Sequence, residues 1–347
     1  MDIPFPYTHT YTMPDDVWVQ SPPTRGATHA PVEPDLVAAL VPHAASPESL
    51  RLLDFVYQRL PLNHPGVTML CLSTCHLPLP DGVDAALPTF AHVRLPSGRT
   101  FDVNMEVHTA LCAVDRVCVC PTAVYTAEHS WRVQVAALAR AQPTTPVRVL
   151  PLLVRRYTPA LAQTVCKVLR RAAKGTGASR VILVSNTDLL HCGADNMGWP
   201  PCPSSPATTD KRTIRAVVKA IRTCRARTRS SMSFPFTDTN SACGMAVVRT
   251  FIAVAQKHQP HWRLAHTRYA CSCTPSCNLN RRRTARHHVG YPCLTFRDPR
   301  RWRVPLVRLP RLLVERHQFM NCSGRKVSAL ALQRLARTYR CLTHTPQ

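Results

Sequence analysis

The sequence predicts an α/β protein: a single three-layer domain with a mostly parallel or mixed central sheet flanked by helices. Three observations lead there. Short apolar runs recur at residues 36–41 (LVAALV), 67–72 (VTMLCL), 147–154 (VRVLPLLV) and 181–184 (VILV); continuous rather than alternating apolarity is the pattern of strands buried on both faces. Helical stretches with one apolar face stand between them. Each run also stops abruptly at polar groups, most clearly at Ser185-Asn186-Thr187-Asp188, with His191 and Gly193 following. Ligands of open α/β sheets sit beyond the carboxyl ends of the strands. An Asp and a His so placed can aim a carboxylate and an imidazole into one crevice. The competing reading is that the Ser, Asn, Thr and Asp simply cap the next turn.

Taken in order, residues 1–34 read as a flexible arm rich in Pro and Thr, with Trp18 the side chain able to dock. The strand at 36–41 ends at Pro42-His43. Ser46-Pro47-Glu48 then starts a helix, with a hydroxyl cap and Pro in the first turn. Its apolar face is Leu50, Leu53, Val56 and Tyr57. The strand at 67–72 runs into Ser73, Thr74, Cys75 and His76. Residues 91–95 alternate as a half-exposed strand, and Pro96-Ser97-Gly98 is a turn. A short helix is expected over 103–113 and a packed strand at Cys118-Val119-Cys120. Glu128-His129-Ser130 precede a helix, and Thr158-Pro159 open another, with Leu161, Val165, Val168 and Leu169 on one face and Gly175 and Gly177 at its end. The strand at Val181 follows directly, which completes a βαβ unit. Residues 200–209 read as a loop leading to a basic helix from Lys211 to about Thr223. Asn240 is placed to cap a helix from Ser241, and 262–269 and 288–296 are the last two strands.

Composition sets the class. No basic region followed by an apolar core opens the sequence, and no apolar run is long enough to span a bilayer. The expectation is a soluble, cytoplasmic protein whose 16 Cys are mostly reduced, serving as packing residues, metal ligands or reactive groups. The net charge of +25 is concentrated after Arg281, where 16 Arg or Lys face Asp298 and Glu315 alone. Such basicity directs attention to acidic or phosphorylated protein segments, anionic lipid or nucleic acid. Yet only six of the 44 basic residues are Lys and there are 32 Pro, a bias that coding drift alone produces, and no nucleic-acid-binding motif is recognisable. The domain is accordingly placed at 35–296, with 297–347 a basic Arg/Pro-rich tail ending in an amphipathic helix.

Four places carry the chemistry: His43 after the first strand, His76 after the second, Asp188 and His191 after the central one, and Cys243. Capped by Asn240, Cys243 would sit in a helix's first turn, where backbone amides and the helix dipole lower a thiol's pKa. Two imidazoles and one anionic ligand from separate loops suffice to hold a divalent metal on one face. Turn histidines and a small buried thiol are the plainer alternative. Cys271, Cys273 and Cys277 with His287 or His288 form a second candidate, for zinc, at irregular spacing.

Short motifs in the same order resemble the MEMO family, which includes the B component of the bacterial AmmeMemoRadiSam system. Leu40-Val41-Pro42-His43-Ala44 resembles its "PHAG" strand end, Thr74-Cys75-His76-Leu77-Pro78-Leu79 its "SHHVPL", and Glu128-His129-Ser130 the start of "EHSIEMHLPY". Residues 149–154 (VLPLLV) resemble "IIPVLVG", residues 184–193 (VSNTDLLHCG) "VVSSDFCHWG", Asn240-Ser241-Ala242-Cys243-Gly244 "NTICG", and His288-Val289-Gly290-Tyr291 the closing "SVSYAAG" strand. The resemblance implies a fold similar to class III extradiol dioxygenases. It also implies a pocket in which His43, His76 and Cys243 hold iron or copper, with zinc a further candidate, and in which Asp188 and His191 stand beside the metal. His191 would move a proton and Asp188 would orient an imidazole. Family members are tied both to metal-linked oxidoreductase chemistry and to scaffolding in signalling, so a metal-dependent oxidoreductase and a non-catalytic scaffold for phosphorylated or acidic partners both follow. The sequence departs from the family at Ala44, Cys75, Arg132, Gln134, Leu190 and Cys192, and no "GSWY" motif precedes the domain unless residues 16–19 (DVWV) are its remnant.

Overall fold

The structure is a computed structural model that describes residues 10–14, 31–174, 180–193, 202–223, 242–258, 261–272 and 287–300. In chain order its elements are β1 (Thr10–Thr12), β2 (Leu36–Val41), α1 (Pro47–Tyr57), β3 (Val67–Thr74), β4 (Ala85–Pro88), β5 (His92–Arg94), β6 (Thr100–Asp102), α2 (Met105–Cys112), β7 (Val117–Cys120), α3 (Thr122–Ala127), α4 (Ser130–Arg140), β8 (Arg148–Val154), α5 (Pro159–Lys174), β9 (Arg180–Asn186), β10 (His191–Gly193), α6 (Pro206–Thr223), α7 (Met245–His258), β11 (Arg263–Cys271) and β12 (His287–Arg297).

A mixed sheet runs in the order β10-β12-β2-β9-β3-β8-β4-β7, with β11 paired to β12. Its centre, β2-β9-β3-β8, is parallel, and β12 and β4 flank it antiparallel. The chain moves from β2 through α1 to β3 and through α4 to β8, then returns through α5 to β9. Because such crossovers are right-handed, the change of direction puts α5 on the opposite face from α1 and α4. The packing agrees: α1 meets α4, whereas α5 and α6 meet α7. Every residue of β2 and β3 is buried, as strands covered on both faces require. The switch in strand order opens a crevice beyond the carboxyl ends of β2, β9 and β3.

Several details differ from the sequence reading. Within the first 34 residues, Thr10–Thr12 pair with β5, and Tyr11 stacks on Phe90 and Trp131; Trp18 lies outside the described residues. Helix α6 begins at Pro206, earlier than Lys211. The Ser205 carbonyl accepts the Thr208 and Thr209 amides, and Pro at the first helical position suits such a start. Helix α7 begins at Met245, so Cys243 lies in the turn before it rather than in its first turn; Asn240 and Ser241 lie outside the described residues. The expected glycine end of α5 and the tail beyond Arg300 also lie outside them. Cys192 forms a disulfide with Cys202, while Cys71, Cys75, Cys120 and Cys166 are among the buried free thiols. No helix among the described residues is long and apolar enough to cross a membrane.

Candidate metal centre

His43 follows the end of β2 and is 2 % exposed. The peptide before it is propped from α4: Gln134 Nε2 donates to the Pro42 carbonyl at 2.8 Å, and Tyr57 OH donates to Gln134 Oε1 at 3.0 Å. The His43 main-chain N–H donates to Asp188 Oδ1 at 2.9 Å. Its Nδ1 lies 3.0 Å from Asn186 Oδ1. That oxygen also accepts the Thr74 amide, while Asn186 Nδ2 donates to Ser73 Oγ at 2.9 Å, which fixes which way the Asn186 amide faces. A carbonyl oxygen only accepts, so the His43 proton sits on Nδ1 and Nε2 presents its lone pair.

Glu128 organises the second and third imidazoles. This carboxylate is 1 % exposed and accepts the His76 main-chain N–H at 2.6 Å and the Ser130 N–H at 2.9 Å. His76 Nδ1 lies 3.0 Å from Glu128 Oε1, and His129 Nδ1 lies 3.5 Å from the same oxygen. The hydrogen bond leaves His76 to offer Nε2, the arrangement in which a carboxylate behind a histidine fixes its tautomer and raises its basicity toward a metal, and the same carboxylate lies beside the His129 ring. The His76 and His129 rings stack at 5.0 Å, and the His43 ring stands edge-on to each, at 5.0 and 5.4 Å. One nitrogen from each of His43, His76 and His129 lies within 4.8 Å of the others.

The electrostatics suit a metal. Burial, helped by the neighbouring imidazoles, lowers His43 to about 3 and His129 to about 4, so both rings are neutral at ordinary pH, as ligation requires. Burial would raise Glu128, but the hydrogen bond and charge of His76 and the Ser130 and His76 amides bring it down to about 2. Neutral imidazoles backed by an ionised carboxylate fit iron, copper or zinc.

Cys243 closes the pocket from the turn before α7. The residue reaches solvent, but its Sγ faces inward, 3.5 Å from His43 Nε2, and accepts the Asp188 N–H at 3.3 Å. In return the Cys243 N–H donates to the Asp188 carbonyl at 3.1 Å. Gly244 must be glycine here, because a Cβ would collide with the Thr74 and Thr187 hydroxyls. The sequence reading expected a lowered thiol pKa. Instead burial and the Asp188 carboxylate push it up, because the sulfur lies among buried groups and not over a helix's amides.

His43, Cys243 and Asp188 therefore meet directly and the His76 ring stands beside His43, but the three donors within 4.8 Å of one another are His43, His76 and His129, and Cys243 is not among them. His191 follows at the start of β10, half-buried, with Nδ1 2.9 Å from the Leu189 carbonyl; burial lowers it, and the charges of Asp188 and His76 reach it. His129 was not among the expected donors. Its signal was the Glu128-His129-Ser130 motif, read as a helix start and as part of the family resemblance but not as a source of a donor. Of the departures from the family pattern, Gln134 became a prop for the Pro42 carbonyl, and Arg132 is buried with Nε 3.3 Å from the Glu128 carbonyl. Burial raises the Cys75 thiol to about 11. In the second candidate cluster Cys273 and Cys277 lie outside the described residues, and His288 is bound to Asp210 at 2.6 Å.

The uncharacterized protein JW3007 from Escherichia coli K12 is similar in structure with a TM-score of 0.39 at 11 % identity, over 74 % of this chain and 99 % of that one. No curated protein matches. The family model described as Memo-like protein matches residues 27–280. That match takes in every residue of the pocket, and the chain belongs to the Memo-like protein family.

Proposed function

We propose that the chain is a metal-dependent oxidoreductase whose iron or copper is held by His43, His76 and Cys243, with His129 as a further donor. The convergence of His43, His76 and His129, their nitrogens within 4.8 Å of one another, is the observation that carries this reading. Bound there, iron or copper supplies one-electron chemistry and Lewis acidity. The chain supplies the rest. Asn186 holds the His43 ring proton at Nδ1 and Glu128 that of His76, which keeps Nε2 of each ring as the ligating atom. The Cys243 thiol would have to give up its proton to ligate a metal. His191 donates from Nδ1 to the Leu189 carbonyl, so Nε2 is its basic nitrogen and the atom at which it takes or returns a proton. Asp188 anchors His43 through its main chain and balances positive charge at His191.

The test is metal analysis of anaerobically purified protein. Wild type is expected to carry iron or copper, and His43→Ala, His76→Ala, His129→Ala and Cys243→Ala to lose most of it. Equal content in Cys243→Ala and wild type would remove the sulfur from the ligand set. Equal content in all five would end the proposal.

A second reading is a scaffold for acidic or phosphorylated partners. It rests on a groove of about 460 Å³ between α6 and β11, lined by Ile214, Val218, Leu264, Arg215, Lys219 and Arg222. Charge reversal at Arg215 and Arg222 would abolish partner capture under this reading, and Cys243→Ala would leave it intact.

A further inference from the structure

We propose that Asp210 is a positioning residue for the pocket, fixing the backbone between Asp188 and His191 and so the place of the His191 imidazole. The inference rests on the reading of His191 as the proton-handling group.

Asp210 lies near the start of α6 and is fully buried. A carboxylate removed from water is costly unless its oxygens are fully engaged, and these are. Oδ2 accepts from His288 Nε2 at 2.6 Å and from Tyr269 OH at 2.8 Å. Oδ1 accepts the Leu190 N–H at 3.0 Å. Strands β12 and β11 thus lock one oxygen, and the other is delivered to the peptide joining Leu189 to Leu190. The same segment is gripped from β12, where the Leu189 N–H donates to the Gly290 carbonyl at 2.7 Å and the Gly290 N–H to the Leu190 carbonyl at 3.2 Å. Gly290 is glycine for this reason: a Cβ there would fall on the Asp210 carboxylate.

The link to the pocket is direct. His191 Nδ1 is hydrogen-bonded to the Leu189 carbonyl at 2.9 Å, so the ring takes its orientation from the peptide segment that Asp210 holds. Asp188, whose carboxylate anchors His43, begins that segment. An amide at position 210 would still give Leu190 an acceptor. What it would not give is charge, and the negative charge of Asp210 favours the protonated form of His191 against its burial. Position and charge are therefore separable contributions.

The experiment uses metal-free, histidine-labelled full-length protein followed by NMR and amide exchange, in wild type, Asp210→Asn, Asp210→Ala and Gly290→Ala. In Asp210→Ala the Leu190 amide should exchange about tenfold or more faster, with the His191 ring signals shifted. Asp210→Asn should restore Leu190 protection toward wild type, while its His191 titrates at lower pH. If Asp210→Ala does not fold, Gly290→Ala, which displaces the carboxylate from the opposite side, is expected to give the same shift of His191. Wild-type Leu190 exchange and unshifted His191 signals in folded Asp210→Ala, or in Gly290→Ala, would overturn the proposal. Metal content is measured in parallel. A wild-type protein without metal refutes the metal-centre reading, whereas the exchange and ring signals judge Asp210 alone.

Discussion

Glu128 Oε1 lies 3.0 Å from His76 Nδ1 and 3.5 Å from His129 Nδ1, so one carboxylate stands behind two imidazoles and orients the first by a hydrogen bond. His43 is oriented separately, by the neutral amide of Asn186 at 3.0 Å. The pocket thus has two independent supports of different charge.

Removing the charge of the first should weaken metal binding without emptying the site. Glu128→Gln is expected to lower metal affinity about 10- to 100-fold, measured by competition with a chelator. The same residue shapes the acid limb of stability. Its folded pKa of about 2 lies below the ordinary 4.5, so its contribution is present above pH 4.5 and is lost as the pH falls toward 2. Denaturation curves of Glu128→Gln should be flatter than wild type over that window.

The alkaline limb belongs to another pair. Burial alone would lower His288, but its hydrogen bonds to Asp210 and Cys271 and the Asp210 charge raise it from 6.5 to about 9. A raised folded pKa stabilises below pH 6.5, and that contribution fades as the pH climbs through 9. Urea unfolding of wild type from pH 6 to 10 should show the decline, and His288→Gln should not.

Gly244 has no space for a methyl group between the Thr74 and Thr187 hydroxyls. Gly244→Ala is expected to cost about 1–3 kcal/mol, the usual range for overpacking, and to move the neighbouring sulfur away from His43. Urea denaturation reads the first effect. Cobalt(II) titration reads the second, as a weakened thiolate-to-metal absorption band.

Trp131 is fully buried against Tyr11, Phe90 and Tyr125, with Nε1 donating to the Tyr125 carbonyl at 2.9 Å. Trp131→Ala should destabilise by about 3–5 kcal/mol in a thermal or urea melt. Because Trp131 also anchors the start of α4 beside His129 and Ser130, metal affinity should fall with it.

The central strands were legible because burial on both faces leaves an uninterrupted apolar run, and β2, β3, β8 and β9 all show one. The short strands are different: β6 and β10 carry no such run, and the apolar β4 (AALP) is only four residues long, too short a stretch to separate strand from loop. The start of α6 had the Ser-Pro signal of α1, at Ser205-Pro206 instead of Ser46-Pro47, but the surrounding Pro, Ser and Thr read as loop. At the site, His43 and His76 were visible as imidazoles just past strand ends. His129 was hidden because its place depends on Glu128 folding back beneath β3, a contact across 52 positions that no local pattern encodes. The raised Cys243 thiol was misjudged for a similar reason, since the shift comes from Asp188 and burial rather than from the residue's own neighbours in sequence.

All the donor groups stand at one rim of the parallel strands, and the strands begin at the opposite rim. There the connection from α1 to β3 touches that from α4 to β8, with the Thr144 N–H donating to Asn63 Oδ1 at 2.7 Å and the Thr145 hydroxyl to the Leu62 carbonyl at 3.2 Å. Asn63 and Thr144 are therefore natural graft points. A fluorophore or affinity handle attached at either would report on the molecule from the far end of the sheet, leaving the ligating chemistry undisturbed.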